Sequence, residues 1–162
     1  MLSFYKEKYP GATVIYKYDS QKIAEFMNKR EHGSSVPGAI ILDDCLSSSL
    51  SECKNDDNFK NLMLYARHYR KMVITTMQYP LGLNPEIRNS FDQVFLFCED
   101  FYSNQKRAYD HYAGMFPTFE EFRNCFIDLT QGEEYKCMVI NNRSTSNDLH
   151  DRIFSHKTTI DD

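Results

Sequence analysis

Pro37-Gly38-Ala39-Ile40-Ile41-Leu42-Asp43-Asp44 and, one helix later, Lys71-Met72-Val73-Ile74-Thr75-Thr76-Met77-Gln78 are the stretches from which the fold is read. Each is a short unbroken apolar run that ends in polar residues. Such runs lack the in–out alternation of a half-exposed strand and suit strands covered on both faces, as in parallel sheets. Between them Asn58 or Asp57 can cap a helix from about 59 to 69, with Leu62, Met63, Tyr65 and Ala66 facing inward. Strand, helix and strand in this order predict an α/β fold of three layers with a mainly parallel sheet. Ligands of such folds bind at the carboxyl ends of the strands. Asp43 and Asp44 on one strand, and the Thr and Gln residues on the other, occupy such ends.

Working outward, Ala12-Thr13-Val14-Ile15-Tyr16 reads as a strand entered through Pro10-Gly11. Asp19 or Ser20 caps a helix that carries Ile23, Ala24, Phe26 and Met27 on one face. Asn84-Pro85-Glu86-Ile87-Arg88 starts a short helix with Pro in its first turn. Gln93–Phe97 and Tyr135–Asn141 read as strands, and helices are expected near 103–112 and 118–126. The second of these opens on the capping pattern Thr118-Phe119-Glu120-Glu121. From Asn142 onward the chain turns polar and is expected to fray. The domain reading is one core over 1–147 and a polar tail over 148–162.

Composition narrows the function classes. The chain has 162 residues, 41% hydrophobic and 14% aromatic, which is one-domain length with enough apolar surface for a packed core. Its net charge of -4 argues against a protein that coats nucleic acid with its whole surface, but leaves room for a local basic patch. Lys54, Lys60, Arg67, Arg70 and Lys71 could form one, or could simply be a solvated helix face. The five cysteines (Cys45, Cys53, Cys98, Cys125, Cys137) form no CxxC pair, and no Cys/His spacing suits zinc. They read as reduced thiols. No apolar run approaches ~18 residues and no signal core opens the chain, so a soluble protein without a membrane span is expected.

The acids after Leu42 are of the type that phosphate-cleaving α/β enzymes use, one carboxylate for Mg²⁺ and the next for the attacking water. Gln78 can hold that water or a terminal phosphate, since its amide both donates and accepts. Taken singly, each motif also fits an ordinary strand leaving a sheet. The aromatic string Tyr109–Pro117 reads as packing, with base stacking as the alternative. Arg107 and Arg123 read as a solvated helix face.

Five longer strings carry more information. They are Leu64-Tyr65-Ala66-Arg67-His68-Tyr69, Thr76-Met77-Gln78-Tyr79-Pro80-Leu81-Gly82-Leu83, Pro85-Glu86-Ile87-Arg88, Phe91–Phe97, and Tyr112-Ala113-Gly114-Met115-Phe116-Pro117-Thr118-Phe119. With Cys137–Asn142 they resemble the poxvirus-type genome-packaging ATPases of large DNA viruses, from about Phe4 to Asn147. That family falls in the FtsK–HerA group of hexamer-forming P-loop ATPases. The resemblance implies a RecA/ASCE-type sheet, Mg-ATP, double-stranded viral DNA, a homo-oligomeric ring, and capsid or portal proteins as partners. The implied location is the host cytoplasm, in a viral factory, or the virion. By position, Asp43 corresponds to the magnesium-side acid (with Asp44), Asp44 to the acid that activates water, and Gln78 to the sensor glutamine. Arg67 and Arg88 both fall where the group places charge-stabilising arginines at subunit boundaries, and the sequence does not choose between them. An arginine supplied by a neighbour can contribute ~10³–10⁵ in rate.

One departure is large. GxxxxGK[ST] occurs nowhere in the chain, so no phosphate-cradling nest of backbone N–H groups and no loop hydroxyl for Mg²⁺ are encoded. The expectation is that the first strand, loop and helix of the family core lie upstream of this sequence. The isolated chain is then inactive. It is a fragment of a full ATPase, one half of a split gene, or a non-catalytic assembly module that pairs with a P-loop-bearing partner subunit. An unrelated α/β nucleotide-binding domain is the remaining reading.

Overall fold

A computed structural model describes residues 7–44, 53, 55–78, 83–132 and 135–158. Cys45, Lys54 and the Tyr79–Gly82 part of the family-like string Thr76–Leu83 lie outside the described residues. The chain divides into two compact units, Met1–Tyr79 and Pro80–Asp162.

The first unit is built on the two strands that the sequence singled out. Helix α1 (Ser20–Asn28) is capped by Asp19, whose carboxylate accepts from the Gln21 and Lys22 amides. A small antiparallel hairpin follows, β1 (Arg30–Glu31) with β2 (Ser34–Ser35). Its turn needs left-handed backbone at His32 and Gly33, φ 49° and 79°, which glycine adopts without a Cβ clash. Strand β3 (Gly38–Leu42), helix α2 (Asp57–Tyr65) with a 3₁₀ turn (Ala66–Tyr69), and strand β4 (Lys71–Thr75) complete the unit. β3 and β4 pair in parallel from Gly38–Lys71 to Leu42–Thr75, as expected of strands joined by a helix. Ile23, Met27, Leu42, Phe59, Leu62 and Met63 form the buried core beneath them.

The other strand face is less covered than the continuous apolar runs suggest. Ile41, Met72 and Ile74 are 46%, 56% and 40% exposed. The strand expected over 12–16 is not formed. Residues 12–15 carry no regular structure, and Ile15 and Tyr16 are exposed, so β-branched residues alone did not secure a pairing partner.

Asp56 caps α2. Its carboxylate accepts from the Asn58 amide at 2.8 Å and from the Tyr18 hydroxyl. Partial burial by itself raises the Asp56 carboxyl. The hydrogen bonds from Tyr18, Ser20 and the Asn58 and Phe59 amides outweigh it and hold the group below the ordinary aspartate value.

The second unit holds α3 (Pro85–Arg88), β5 (Gln93–Phe97), α4 (Tyr102–Tyr112), α5 (Phe119–Thr130), β6 (Lys136–Asn141), a 3₁₀ turn (Leu149–Asp151) and β7 (Ile153–Lys157). Its sheet has the order β5–β6–β7 and both pairings are antiparallel. Among the described residues the expected mainly parallel sheet is therefore present as one parallel pair, β3–β4, and the other pairings are antiparallel. The polar tail is also corrected. Residues 148–158 carry a 3₁₀ turn and strand β7, because a polar segment can add an edge strand through its backbone when the strand beside it, here β6, is buried.

The aromatic string packs rather than forming a platform. Phe122 is fully buried and meets the rings of Tyr109, Phe116, Phe119 and Phe126 at 5.5–6.3 Å. Arg123 is not a solvated residue. Its Nε donates to buried Gln105 Oε1 at 3.0 Å, and its guanidinium lies 5.9 Å from the Tyr102 ring. Arg107 donates to Asn104 Oδ1 at 3.1 Å. Cys53 and Cys137 are buried, and Cys98 is exposed.

Two outcomes follow for stability. Phe122→Ala removes the centre of the ring cluster and is expected to cost about 3–5 kcal/mol, read by urea unfolding. Asp56→Asn is expected to loosen α2. A depressed aspartate contributes stability above its unfolded value, and that contribution fades as pH falls through the lower folded value. Hydrogen exchange of the α2 amides should therefore separate wild type from Asp56→Asn at neutral pH, and the two should converge in acid.

Candidate functional site

Parallel register decides what meets at the carboxyl ends of β3 and β4. Leu42 is level with Thr75, and the Thr76 amide donates to the Leu42 carbonyl at 3.1 Å. The residues that leave β3 thus face those that leave β4. The Thr76 hydroxyl joins both acids: it donates to Asp43 Oδ1 at 2.8 Å and accepts from the Asp44 amide at 2.9 Å. Gln78 Nε2 donates to Asp44 Oδ2 at 3.0 Å. Asp43, Asp44 and Gln78 are therefore brought together by one hydrogen-bonded cluster.

Asp44 holds a left-handed backbone, φ 47°. Asp is among the few side chains that tolerate this region, and the state persists where surrounding bonds over-determine it. Here the amide bond to Thr76 and the carboxylate bond from Gln78 do so. Both acids are half-buried, whereas Thr76 and Gln78 are exposed, so the cluster is open to solvent on one side. The Thr75 hydroxyl oxygen, at the same strand end, is buried without a hydrogen-bond partner among the described residues.

The two arginines behave differently. Arg67 lies in the 3₁₀ turn that precedes β4, at the opposite end of that strand from the acids. Five strand residues at about 3.3 Å each put roughly 17 Å between the two ends, beyond the reach of an arginine side chain. Within one chain Arg67 does not join the cluster. Arg88 ends α3 in the second unit, where its Nη1 donates to the Leu83 carbonyl at 2.8 Å. Burial first, and then the Arg88 charge, hold the His111 imidazole below its ordinary value, with Asp110 opposing. Burial raises the Tyr112 phenol.

Thr76 is the member that sequence reasoning did not single out. The signal was present in the register, since the residue after Thr75 falls opposite the residue after Leu42. Among the described residues no group of three or more His, Cys, Asp or Glu could hold a metal by itself. Mg²⁺ is nonetheless commonly bound through only one or two carboxylates while phosphates and waters complete its octahedron, and Asp43 and Asp44 are donors of that kind.

No protein-family model matches the chain. Uncharacterized protein L437 of Acanthamoeba polyphaga mimivirus is 34% identical over 97% of this chain and 59% of its own length. Uncharacterized protein 088R of Invertebrate iridescent virus 3 is 32% identical over 98% of this chain and 60% of its own length. The chain thus spans about 60% of the length of these curated relatives. Among solved structures, the genome-packaging NTPase B204 of Sulfolobus turreted icosahedral virus 2, in complex with AMP, superposes with a TM-score of 0.50 at 13% identity, over 75% of this chain and 53% of that one. The sulfate complex of B204 gives 0.51 at 14% identity, over 76% and 55%. The relatives are proteins of large DNA viruses, and the fold is α/β, similar to that of a viral packaging NTPase. No described helix is long and apolar enough to cross a membrane.

The Thr76 link is open to test. Thr76→Val keeps the shape and removes the hydroxyl, so the bonds to Asp43 and Asp44 both disappear. Unfolding free energy is expected to drop by about 1 kcal/mol, with Thr76→Ser close to wild type. A Val variant as stable as wild type would show that the hydroxyl does not hold the two strand ends.

Proposed function

We propose that this chain is part of a viral DNA-packaging motor of the FtsK–HerA type, which couples ATP hydrolysis to movement of double-stranded genome DNA into capsids. The carrying observation is the meeting of Asp43, Asp44 and Gln78 at the carboxyl ends of two parallel strands, on a fold similar to packaging NTPase B204. In this reading β3–α2–β4 belongs to the three-layer core of a P-loop NTPase. Asp43 is the Walker B acid that holds Mg²⁺, with Asp44 beside it. Asp44 acts as general base on the attacking water, and Gln78 orients that water and the carboxylate together. Bound Mg²⁺ would supply charge neutralisation on the phosphates.

Arg67, on the far end of β4, can serve only a neighbouring subunit's nucleotide, which fits a hexameric ring. Arg88 is the other candidate for that role. Portal or capsid proteins would be further partners, and the host cytoplasm or the virion the place of action.

GxxxxGK[ST] is absent from these 162 residues, so the phosphate cradle comes from outside this stretch. That favours a second reading of the same chain, a non-catalytic assembly module that pairs with a P-loop-bearing partner. The exposed Ile41, Met72 and Ile74 face of β3–β4 is the observation that supports it.

Calorimetric titration with Mg-ATP, together with steady-state ATPase assays, tests both. The chain alone is expected to give no micromolar binding and no turnover. Micromolar binding weakened by Asp43→Asn would overturn the dependence on an outside loop. In an assembly with a loop-bearing subunit, Asp44→Asn is expected to lower turnover by ~10²–10⁴ while ATP still binds. Unchanged turnover would remove Asp44 from its role, and an assembly that binds its partner but never hydrolyses ATP would leave the module reading.

A further inference from the structure

Charge in the first unit is uneven between the strand ends, although Lys17, Lys22 and Lys60 lie at or near the helix starts among the acids. Asp19, Asp43, Asp44, Asp56 and Asp57 lie at the carboxyl ends of β3 and β4 or at the helix starts that follow the same direction. At the amino ends, residues 29–35 and 66–71 hold Lys29, Arg30, Arg67, Arg70 and Lys71 against one acid, Glu31. The folded chain gathers these two segments. The Val36 amide donates to the Lys29 carbonyl at 3.1 Å, Gly38 to the Arg70 carbonyl at 3.3 Å, and the Ser35 hydroxyl to the Tyr69 carbonyl at 2.6 Å.

Lys71 is the buried centre of this end. It is 6% exposed, donates to the Val36 carbonyl, and lies 4.9 Å from the Phe26 ring centroid. Burial first, and then the charges of Lys29 and Arg30, lower its basicity, which places the three cations within one field. Lys29, Arg30 and Arg70 are exposed around it. A cation at a helix end complements the helix dipole, but that accounts for about one charge per helix. Arg30 belongs to the hairpin, and Arg70 follows the 3₁₀ turn in left-handed backbone, φ 55°.

Beside the cations runs a groove of about 450 Å³ between α1 and α2, lined by Asn28, Asn61, Tyr65, His68 and Tyr69 among others. The Tyr65 ring is 48% exposed, and the Arg30 guanidinium lies 6.0 Å from the Tyr69 ring. Cations next to exposed rings and amides suit a phosphodiester chain whose bases can stack and hydrogen-bond. An acidic peptide would meet the same charges and amides but has no planar bases to stack on Tyr65.

We propose that the amino-end rim of this unit, Lys29, Arg30 and Arg70 with the adjoining groove, is a nucleic-acid contact that grips phosphodiester backbone. It deepens the packaging reading by placing a DNA contact on the face opposite the carboxylate cluster. It is tested without nucleotide, so a failed titration removes the rim and leaves the carboxylate cluster standing.

Fluorescence anisotropy of the whole chain with a labelled 30-base-pair duplex and a 30-nucleotide single strand, across a salt series, is the experiment. Wild type is expected to bind both in a salt-dependent way. The triple variant Lys29→Gln, Arg30→Gln, Arg70→Gln should bind at least about tenfold more weakly, with a salt slope lower by roughly 0.9 for each phosphate that is no longer neutralised. Lys22→Gln, a charge loss on α1 away from this rim, should bind as wild type, and circular dichroism checks that each variant is folded. Preference for the single strand would assign the groove to bases, and equal affinity would assign grip to the backbone alone. The proposal is overturned if wild type does not bind at low salt, if the folded triple variant binds as wild type, or if polyglutamate competes as well as DNA.

Discussion

The parallel register of β3 with β4 is the constraint on which the first unit depends. Each strand alone delivers polar residues to a loop. Only when Leu42 stands level with Thr75 does the Thr76 hydroxyl reach Asp43 and the Asp44 amide, and only then does Gln78 reach the Asp44 carboxylate. A slip of one residue would turn every side chain of a strand to the other face. Thr76 would then part from both acids at once. Packing accompanies this register up to the acids themselves: Leu42, next to Asp43, is buried, as are Leu62 and Phe59 of the helix between the strands.

The same crossover explains the sorting of charge. A strand–helix–strand unit starts its helix at the carboxyl ends of the strands and ends it at the amino ends. Helix starts attract carboxylates as caps, which Asp19 and Asp56 provide, while helix ends tolerate cations. Local helix chemistry therefore separates the signs before any ligand is considered. What it does not require is Asp44 in left-handed backbone or a lysine buried as deeply as Lys71. Both cost free energy in isolation, and both are held by specific bonds: the Asp44 amide donates to the Thr76 hydroxyl and its carboxylate accepts from Gln78, while Lys71 donates to the Val36 carbonyl.

The legible parts of the sequence were those in which one short-range rule dominates. Apolar runs gave β3, β4 and β5, and the Asp19, Asn84 and Thr118 caps each hydrogen-bond an amide at their helix start. The grouping of Asp43, Asp44 and Gln78 followed from strand ends in one βαβ unit. Residues 12–16 misled because β-propensity measures fit to a partner strand, and no pairing forms there. Strand β7 was missed for the converse reason. Phe154, Ser155 and His156 carry little apolar pattern, and their place is set by β6, whose buried run Cys137–Ile140 presents backbone on both edges. Arg123 read as solvated because its partners, Gln105 and Tyr102, come from another helix.

In the proposed reading the acids, even well placed, are one part of a phosphoryl-transfer site. Such chemistry rests on stabilising spread negative charge with preorganised donors and cations, and little of it is done by the base. In the first unit the end that would face the phosphates is acidic, with Asp43 and Asp44 joined by neutral Thr76 and Gln78. Lys29, Arg30, Arg67, Arg70 and Lys71 lie at the other strand end, and among the described residues only Lys22 and Lys60 stand at the helix starts on this side. Left alone, that field repels a nucleotide rather than gathering it. As a nucleotide site, the role proposed for it, the cluster needs company that brings positive charge and N–H donors: a phosphate loop, Mg²⁺, and an arginine from a neighbour. The distribution of charge within the unit thus argues, on the proposed reading, for a site completed by groups from outside the unit.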